Sequence, residues 1–210
     1  MVTVNRTACS AAHASRRCLD AGYDGLVSKP SYHHGDLRAV ILSEAAVLVA
    51  ERGADGVSLR ELARAAGVSH AAPAHHFGDR RGLFTALATE GFRILAAELT
   101  DARPEFVDAA KAYVRFALAH PGHFEVMFDK SLYEASDQQV QEASAAAYLE
   151  LNRGVGTLHD PHAGADPEGA ALAAWSMVHG FSQLWLNEAV DTAGDPIATV
   201  ERLAAILFDG

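Results

Sequence analysis

At 210 residues, half of them apolar, the chain has room for a small head and a sizeable core, and it holds no apolar run of about 18 residues that would span a bilayer. Cys9 and Cys18 have neither the count nor the spacing of a disulfide framework or zinc site, which fits a reducing cytoplasm. The formal net charge of −10 argues against a duplex-wrapping protein, but it is unevenly spread. There are ten Lys and Arg against eight Asp and Glu through Thr85, and seven against nineteen from Ala86 onward, so a near-neutral front precedes a strongly acidic remainder.

In chain order, residues 1–28 lack an apolar stretch with a cleavage motif and read as a mobile arm rather than a signal peptide. Leu37, Val40, Ile41, Leu42, Ala45, Leu48 and Val49 then predict an amphipathic helix ending at Glu51-Arg52-Gly53. From Ser58 to Phe77 the pattern is that of two short helices around a tight corner. Ser58 with Glu61 makes a capping box, and Leu59, Leu62, Ala63 and Ala66 share one face. Gly67 stops the helix, Val68 plugs the corner, and Ser69 is placed to cap the second helix. That layout lets the second helix enter a major groove while the first braces it, although two capped helices around a glycine also occur in plain helical hairpins.

His70, Ala71, Ala72, Ala74 and His75 fall at the start and outer face of the reading segment, with Phe77 as its apolar anchor. Ala71 or Ala72 can meet a thymine methyl; His70 or His75 can bond a base edge or phosphate, or stay solvated. Ser69 and Arg60, beside partly positive helix starts, suit phosphate. Pro73, if it stands beyond the first turn, removes an intrahelical bond and can bend the segment without disabling it.

Asp79 is placed to cap a long helix carrying Leu83, Phe84, Leu87, Phe92, Ile94, Leu95 and Leu99. Pro104 opens a segment with Phe106, Ala109, Ala110, Tyr113, Val114, Phe116 and Ala117 on its apolar side, stopped by His120-Pro121-Gly122. A short helix follows with Phe124, Val126, Met127 and Phe128, then a polar loop, then a helix from about Asp137 to Leu158. Asp166, Pro167 and Glu168 form a strong helix start, and the helix to about Val190 is apolar nearly all round, so it needs cover on several sides. Phe181, Leu184 and Trp185 on it, with Val200, Leu203 and Leu207 on the last helix from Ile197 to Phe208, are the expected faces of a four-helix interface between two copies; the alternative is an intramolecular bundle.

The motifs Glu51-Arg52-Gly53, Val57-Ser58-Leu59-Arg60-Glu61-Leu62-Ala63, Ala66-Gly67-Val68-Ser69, His75-His76-Phe77 and Asp79-Arg80-Arg81-Gly82-Leu83-Phe84, in this order, resemble the TetR family of transcriptional regulators from about Tyr32 to Leu99. Trp175…His179-Gly180 and His120-Pro121-Gly122-His123-Phe124 extend the likeness to the Trp-His-Gly class of C-terminal domains in that family. The resemblance implies an all-α fold, with a three-helix DNA-binding head over residues 29–85 and a helical effector-binding and dimerisation body over 86–210. It also implies that His76 and Arg80 join Ser58, Arg60 and the reading segment at DNA, Arg80 as a phosphate ligand. Ala74 stands where relatives usually carry a tyrosine that touches the DNA backbone, so that contact is missing.

An effector pocket is expected among the middle helices, with Tyr113, Phe116, Phe124, Met127, Phe128, Tyr148 and Trp175 as lining and His179 as a polar handle; the other reading, which weighs more for His179, is a hydrogen-bonded core histidine with Trp175 as packing, since aromatics at helical spacing are also plain core. Gly180 is expected to admit another backbone closely. His70, His75 and His76, the adjacent His33-His34, and His159 with His162 lack the spacing of a metal site, and no cofactor, nucleophile elbow or phosphate-cradling loop is present, so an enzyme is not expected. The sequence thus reads as a cytoplasmic homodimeric regulator without a membrane partner. It would be a repressor on a near-palindromic double-stranded DNA operator, released by a small apolar or amphipathic effector; the other reading is a ligand- or protein-binding module whose DNA head has weakened.

Overall fold

The buried residues Ile41, Leu42, Ala45, Leu48 and Val49 recur at three- and four-residue intervals along the first helix, α1 (His34–Arg52), so it lays one stripe on the core. The computed structural model describes residues 34–102, 105–158 and 164–208; the N-terminal arm with Cys9 and Cys18, and also His33, Pro104, His159 and His162, lie outside them. Gly53 closes α1 by taking a φ of 74°, and its N–H donates to the Val49 carbonyl at 2.8 Å. A 3-10 turn at Ala54–Gly56 leads into α2 (Leu59–Ala65) and α3 (Ala72–Phe77).

The long helix α4 (Arg80–Asp101) starts where the Asp79 carboxylate accepts from the Gly82 N–H at 2.8 Å. It is followed by α5 (Phe106–Ala119), α6 (Pro121–Met127), α7 (Gln138–Val155), α8 (Pro167–Leu186) and α9 (Pro196–Phe208). The fold is all-α, with no strand among the described residues. The Asp166 carboxylate caps α8 through the Gly169 N–H at 2.9 Å, with Pro167 in the first turn. That helix ends at Leu186, earlier than its apolar run suggested, because Glu188 turns into a positive φ of 51°.

Two close approaches lock the short helix α6 between α1 and α4. A Cβ on Gly122 would stand 2.0 Å from the Ala46 carbonyl oxygen of α1, and one on Gly91 of α4 would stand 2.4 Å from the Met127 sulfur. Only residues without a side chain let these backbones come so near. The His123 Nε2 lies 2.9 Å from a Glu90 carboxylate oxygen, tying α6 to α4 a second time. The head–body boundary expected at residues 85 and 86 therefore falls inside α4, one rod that carries residues of both.

Candidate nucleic-acid interface and effector cavity

The corner between α2 and α3 is built as its residue types dictate. The Glu61 N–H donates to the Ser58 hydroxyl oxygen at 3.3 Å, and that hydroxyl donates to the Glu61 carboxylate at 2.8 Å, a bond that holds the Glu61 pKa below its ordinary value. At the other end Gly67 has a φ of 65°; its N–H reaches the Arg64 carbonyl at 3.3 Å and the Val68 N–H reaches Ala63 at 2.9 Å, so the last carbonyls of α2 are satisfied.

The start of α3 departs from expectation. Ser69 does not cap it: the Ser69 carbonyl accepts from the Ala72 N–H at 3.0 Å, and this turn carries the chain on to Ala71 before the helix begins, with no side-chain cap bond. Pro73 consequently sits in the first turn, where its missing N–H had no intrahelical acceptor, and it is buried rather than disruptive. Ser58, Ser69, His70, Ala71, Ala74 and His75 are exposed, and Ala72 and His76 half-buried. Phe77 anchors the helix beneath the Arg38 guanidinium, 5.1 Å from its ring centre. Arg60 and Arg64, four apart on α2, are both exposed and share a side, and neither has an ion-pair partner among the described residues.

The Arg80 side chain lies along the turn before α2, its guanidinium 3.5 Å from the Asp55 carboxylate. Its guanidinium donates to the carbonyls of Ala54 at 2.7 Å and Val57 at 3.2 Å and stacks 4.7 Å from the centre of the Phe84 ring. These carbonyls, in the 3-10 turn and just after it, face the start of α4 and take up donors of the Arg80 side chain, which stays 41% exposed. Glu125 of α6 accepts from the Ala54 N–H at 2.6 Å on the same turn.

Below the head, α4, α5, α6, α7 and α8 line a half-open cavity of about 610 Å³. Tyr113, Met127, Phe128, Tyr148 and Trp175 line it, with Phe92, Leu95, Leu99, Tyr133 and Leu151. Phe116, Phe124 and His179 do not. Phe116 is fully buried against His120, Phe124 packs behind Tyr113 and Phe128, and the His179 ring lies 4.5 Å from that of Phe128. The Trp175 Nε1–H donates to the Tyr113 hydroxyl at 3.3 Å, and that hydroxyl lies 3.1 Å from His179 Nδ1. Burial pushes the Tyr113 pKa up and the His179 pKa down, so the neutral forms of both are favoured across this bond. His179 is thus a partner of the wall rather than a handle in the cavity. A polar cleft of about 840 Å³ lies beside α3, with Arg38, His76, Arg81, Glu90 and Arg93 on its walls, charges of both signs.

On the outer side of α8 and α9, Leu184 is 47% exposed, Leu207 54% and Ile206 77%, while Trp185 and Leu203 are half-buried. Val200 is fully buried and Phe181 nearly so; with Val200 turned inward where α9 packs on α5, these two leave the expected partner face. A Cβ on Gly180 would meet nothing within 4 Å, so the chain itself makes no close approach there.

Residues 41–87 match the family described as bacterial regulatory proteins, tetR family, and residues 106–207 match the tetracyclin repressor-like C-terminal domain. The chain belongs to the TetR family. This is a family of regulatory proteins and not of enzymes. The chain is 47% identical over 53 residues to the HTH-type transcriptional repressor AcnR of Corynebacterium glutamicum, a stretch of 25% of this chain and 28% of that one. It therefore spans only about a quarter of the length of that TetR relative. A Rhodococcus sp. RHA1 protein of unknown function is 37% identical, with a TM-score of 0.65 over 85% of this chain and 96% of the other. NalD, the secondary repressor of the MexAB-OprM multidrug efflux pump in Pseudomonas aeruginosa, has a similar fold at 24% identity, with a TM-score of 0.59 over 85% of this chain and 97% of that one.

Sequence reasoning passed over Arg64, Lys130 and Glu125. The four-residue step from Arg60 could have flagged Arg64, whereas Glu125 meets Ala54 across 71 positions and leaves no local signal.

Proposed function

We propose that this TetR-family chain is a DNA-binding transcriptional repressor, working in the cytoplasm as a homodimer on a near-palindromic operator and released when a small apolar or amphipathic molecule fills the cavity. The observation that carries it is the exposure of Ser69, His70, Ala71, Ala74 and His75 on a corner closed by the Ser58 box and the Gly67 turn. His70 and His75 read base edges, Ala71, Ala72 and Ala74 meet thymine methyls or pass close to the backbone, and Ser58, Ser69, His76, Arg60 and Arg64 meet or border phosphates. The exposed leucines of α8 and α9 join two copies, which sets two reading segments about one DNA turn, roughly 34–36 Å, apart.

Met127 and Phe128 at the end of α6 touch the cavity, and Glu125 in the same helix holds the turn before α2. A ligand that prefers a shifted α6 draws on the Glu125–Ala54 bond and re-aims the head, with a coupling typically of about 1–3 kcal/mol.

The test is a gel-shift and footprint series on the DNA upstream of its own gene. Arg60→Ala together with Arg64→Ala lowers affinity for every sequence, while His70→Ala or His75→Ala changes sequence preference. Unchanged binding in all of these overturns the contact assignment, and no footprint at low salt favours a weakened head, the reading that Ala74 supports.

A further inference from the structure

The buried wall of the cavity carries no charge: Phe92, Leu95, Leu99, Met127 and Leu151 make it apolar. At the Tyr113 end the polar atoms are already paired, because the Tyr113 hydroxyl accepts from Trp175 and is hydrogen-bonded to His179 Nδ1. A ligand that carried a hydroxyl or amine into this end would find no open partner and would lose its own hydration. No Asp or Glu lines the cavity among the described residues, so nothing there neutralises a cation.

The rim is different. Lys130 stands exposed on it, where α6 gives way to the loop before α7, and makes no ion pair among the described residues. The carboxylates near it in sequence are engaged elsewhere. Asp129 accepts from the Ser131 N–H at 2.9 Å and hydroxyl at 2.6 Å; Glu134 accepts from the Ser136 hydroxyl at 2.6 Å and pairs with Arg81 at 3.4 Å; Asp137 caps α7. Lys130 is therefore left without an ion pair at the mouth of an apolar chamber, with Asp129, still ionised, held by its bonds to Ser131. A single lysine matches a single negative charge, and a more highly charged anion would meet the acidic body around it unneutralised.

We propose that the effector is an amphiphilic monocarboxylate, its apolar body against Leu95, Leu99 and Leu151 and its carboxylate on Lys130. The proposal rests on the cavity being the effector site. The full chain is titrated with dodecanoate below its micellar concentration, with dodecanol and dodecyltrimethylammonium as neutral and cationic controls. Binding is followed by Trp175 fluorescence, Trp185 serving as background, and by release from operator DNA. Dodecanoate binds tightest, and Lys130→Met weakens it by about fivefold, the size expected of an exposed ion pair, while Lys130→Arg retains it. That preference shrinks as salt is raised, and dodecanol binds the wild type and the Met variant alike. Equal binding of dodecanoate and dodecanol, or an unchanged dodecanoate affinity in Lys130→Met, overturns the carboxylate assignment and leaves the cavity standing as an apolar effector site. If none of the three amphiphiles alters fluorescence or DNA affinity, the effector reading falls with it.

Discussion

Arg80 shows how a charge at the surface of a regulator can serve its interior. Its guanidinium satisfies two backbone carbonyls, so Arg80→Ala lowers the stability of the fold by about 2 kcal/mol, the worth of hydrogen bonds to a charged group, measured as a drop in denaturant midpoint. Arg60→Ala leaves that midpoint unchanged, since its side chain is exposed and unpaired. His179 predicts a pH dependence whose sign follows from burial. Its folded pKa lies below the ordinary 6.5, so between the two values the unfolded chain binds more protons and stability rises with pH. The contribution is full above about pH 6.5 and is lost as pH falls toward the folded value, so the difference in midpoint between about pH 7.5 and about pH 5 narrows in His179→Gln. The capping residues were legible because Ser58 and Glu61 act over three positions, whereas Arg80 and His179 depend on partners far along the chain.

Among the elements, α6 is the one whose place sequence patterning left open. Its seven residues carry too short a stripe to specify a neighbour, and its position is set by the missing side chains of Gly122 and Gly91. Gly122→Ala drives a Cβ into a carbonyl on the backbone of α1, which cannot yield without parting the helices. Overpacking of this kind costs about 1–3 kcal/mol, and a melting curve should show Gly122→Ala at or above the upper end. Gly91→Ala meets chiefly the end of a flexible methionine side chain and costs less, though moving Met127 alters the cavity wall and should change ligand affinity. The opposite ranking of the two variants would count against α6 as a rigid wedge. At α3 the length was over-read for a similar reason, because the Ser69–Ala72 turn takes up residues that propensity alone assigns to the helix.

Over the whole molecule, the acidic body and near-neutral head predict weak electrostatic attachment to DNA. With Arg60 and Arg64 as the phosphate contacts of each protomer, the log–log salt dependence of operator binding has a slope of about −0.9 for each phosphate neutralised, shallow for a dimer. A much steeper slope would mean that other cations reach the duplex. Leu184→Glu with Leu207→Glu, both on the exposed face of α8 and α9, should convert the dimer to folded monomers in sedimentation and weaken operator binding. Val200→Glu buries an unpaired charge and should instead unfold the protomer. A dimer that survives the double leucine change would place the partner face elsewhere.

What the amino-acid order by itself determined is everything that acts within a few positions: the helical periods of α1, α4 and α5, the Ser58, Asp79 and Asp166 caps, the Gly67 stop, and the motifs that mark the family. What only the tertiary structure decided is which of two apolar faces turns inward. An all-round apolar helix such as α8 offers no stripe to choose by, and there Phe181 went to the core while Leu184 stayed outside. The same holds for Arg80, His179 and Glu125, whose contacts come from atoms brought together across long stretches of chain, a pairing that no local spacing encodes.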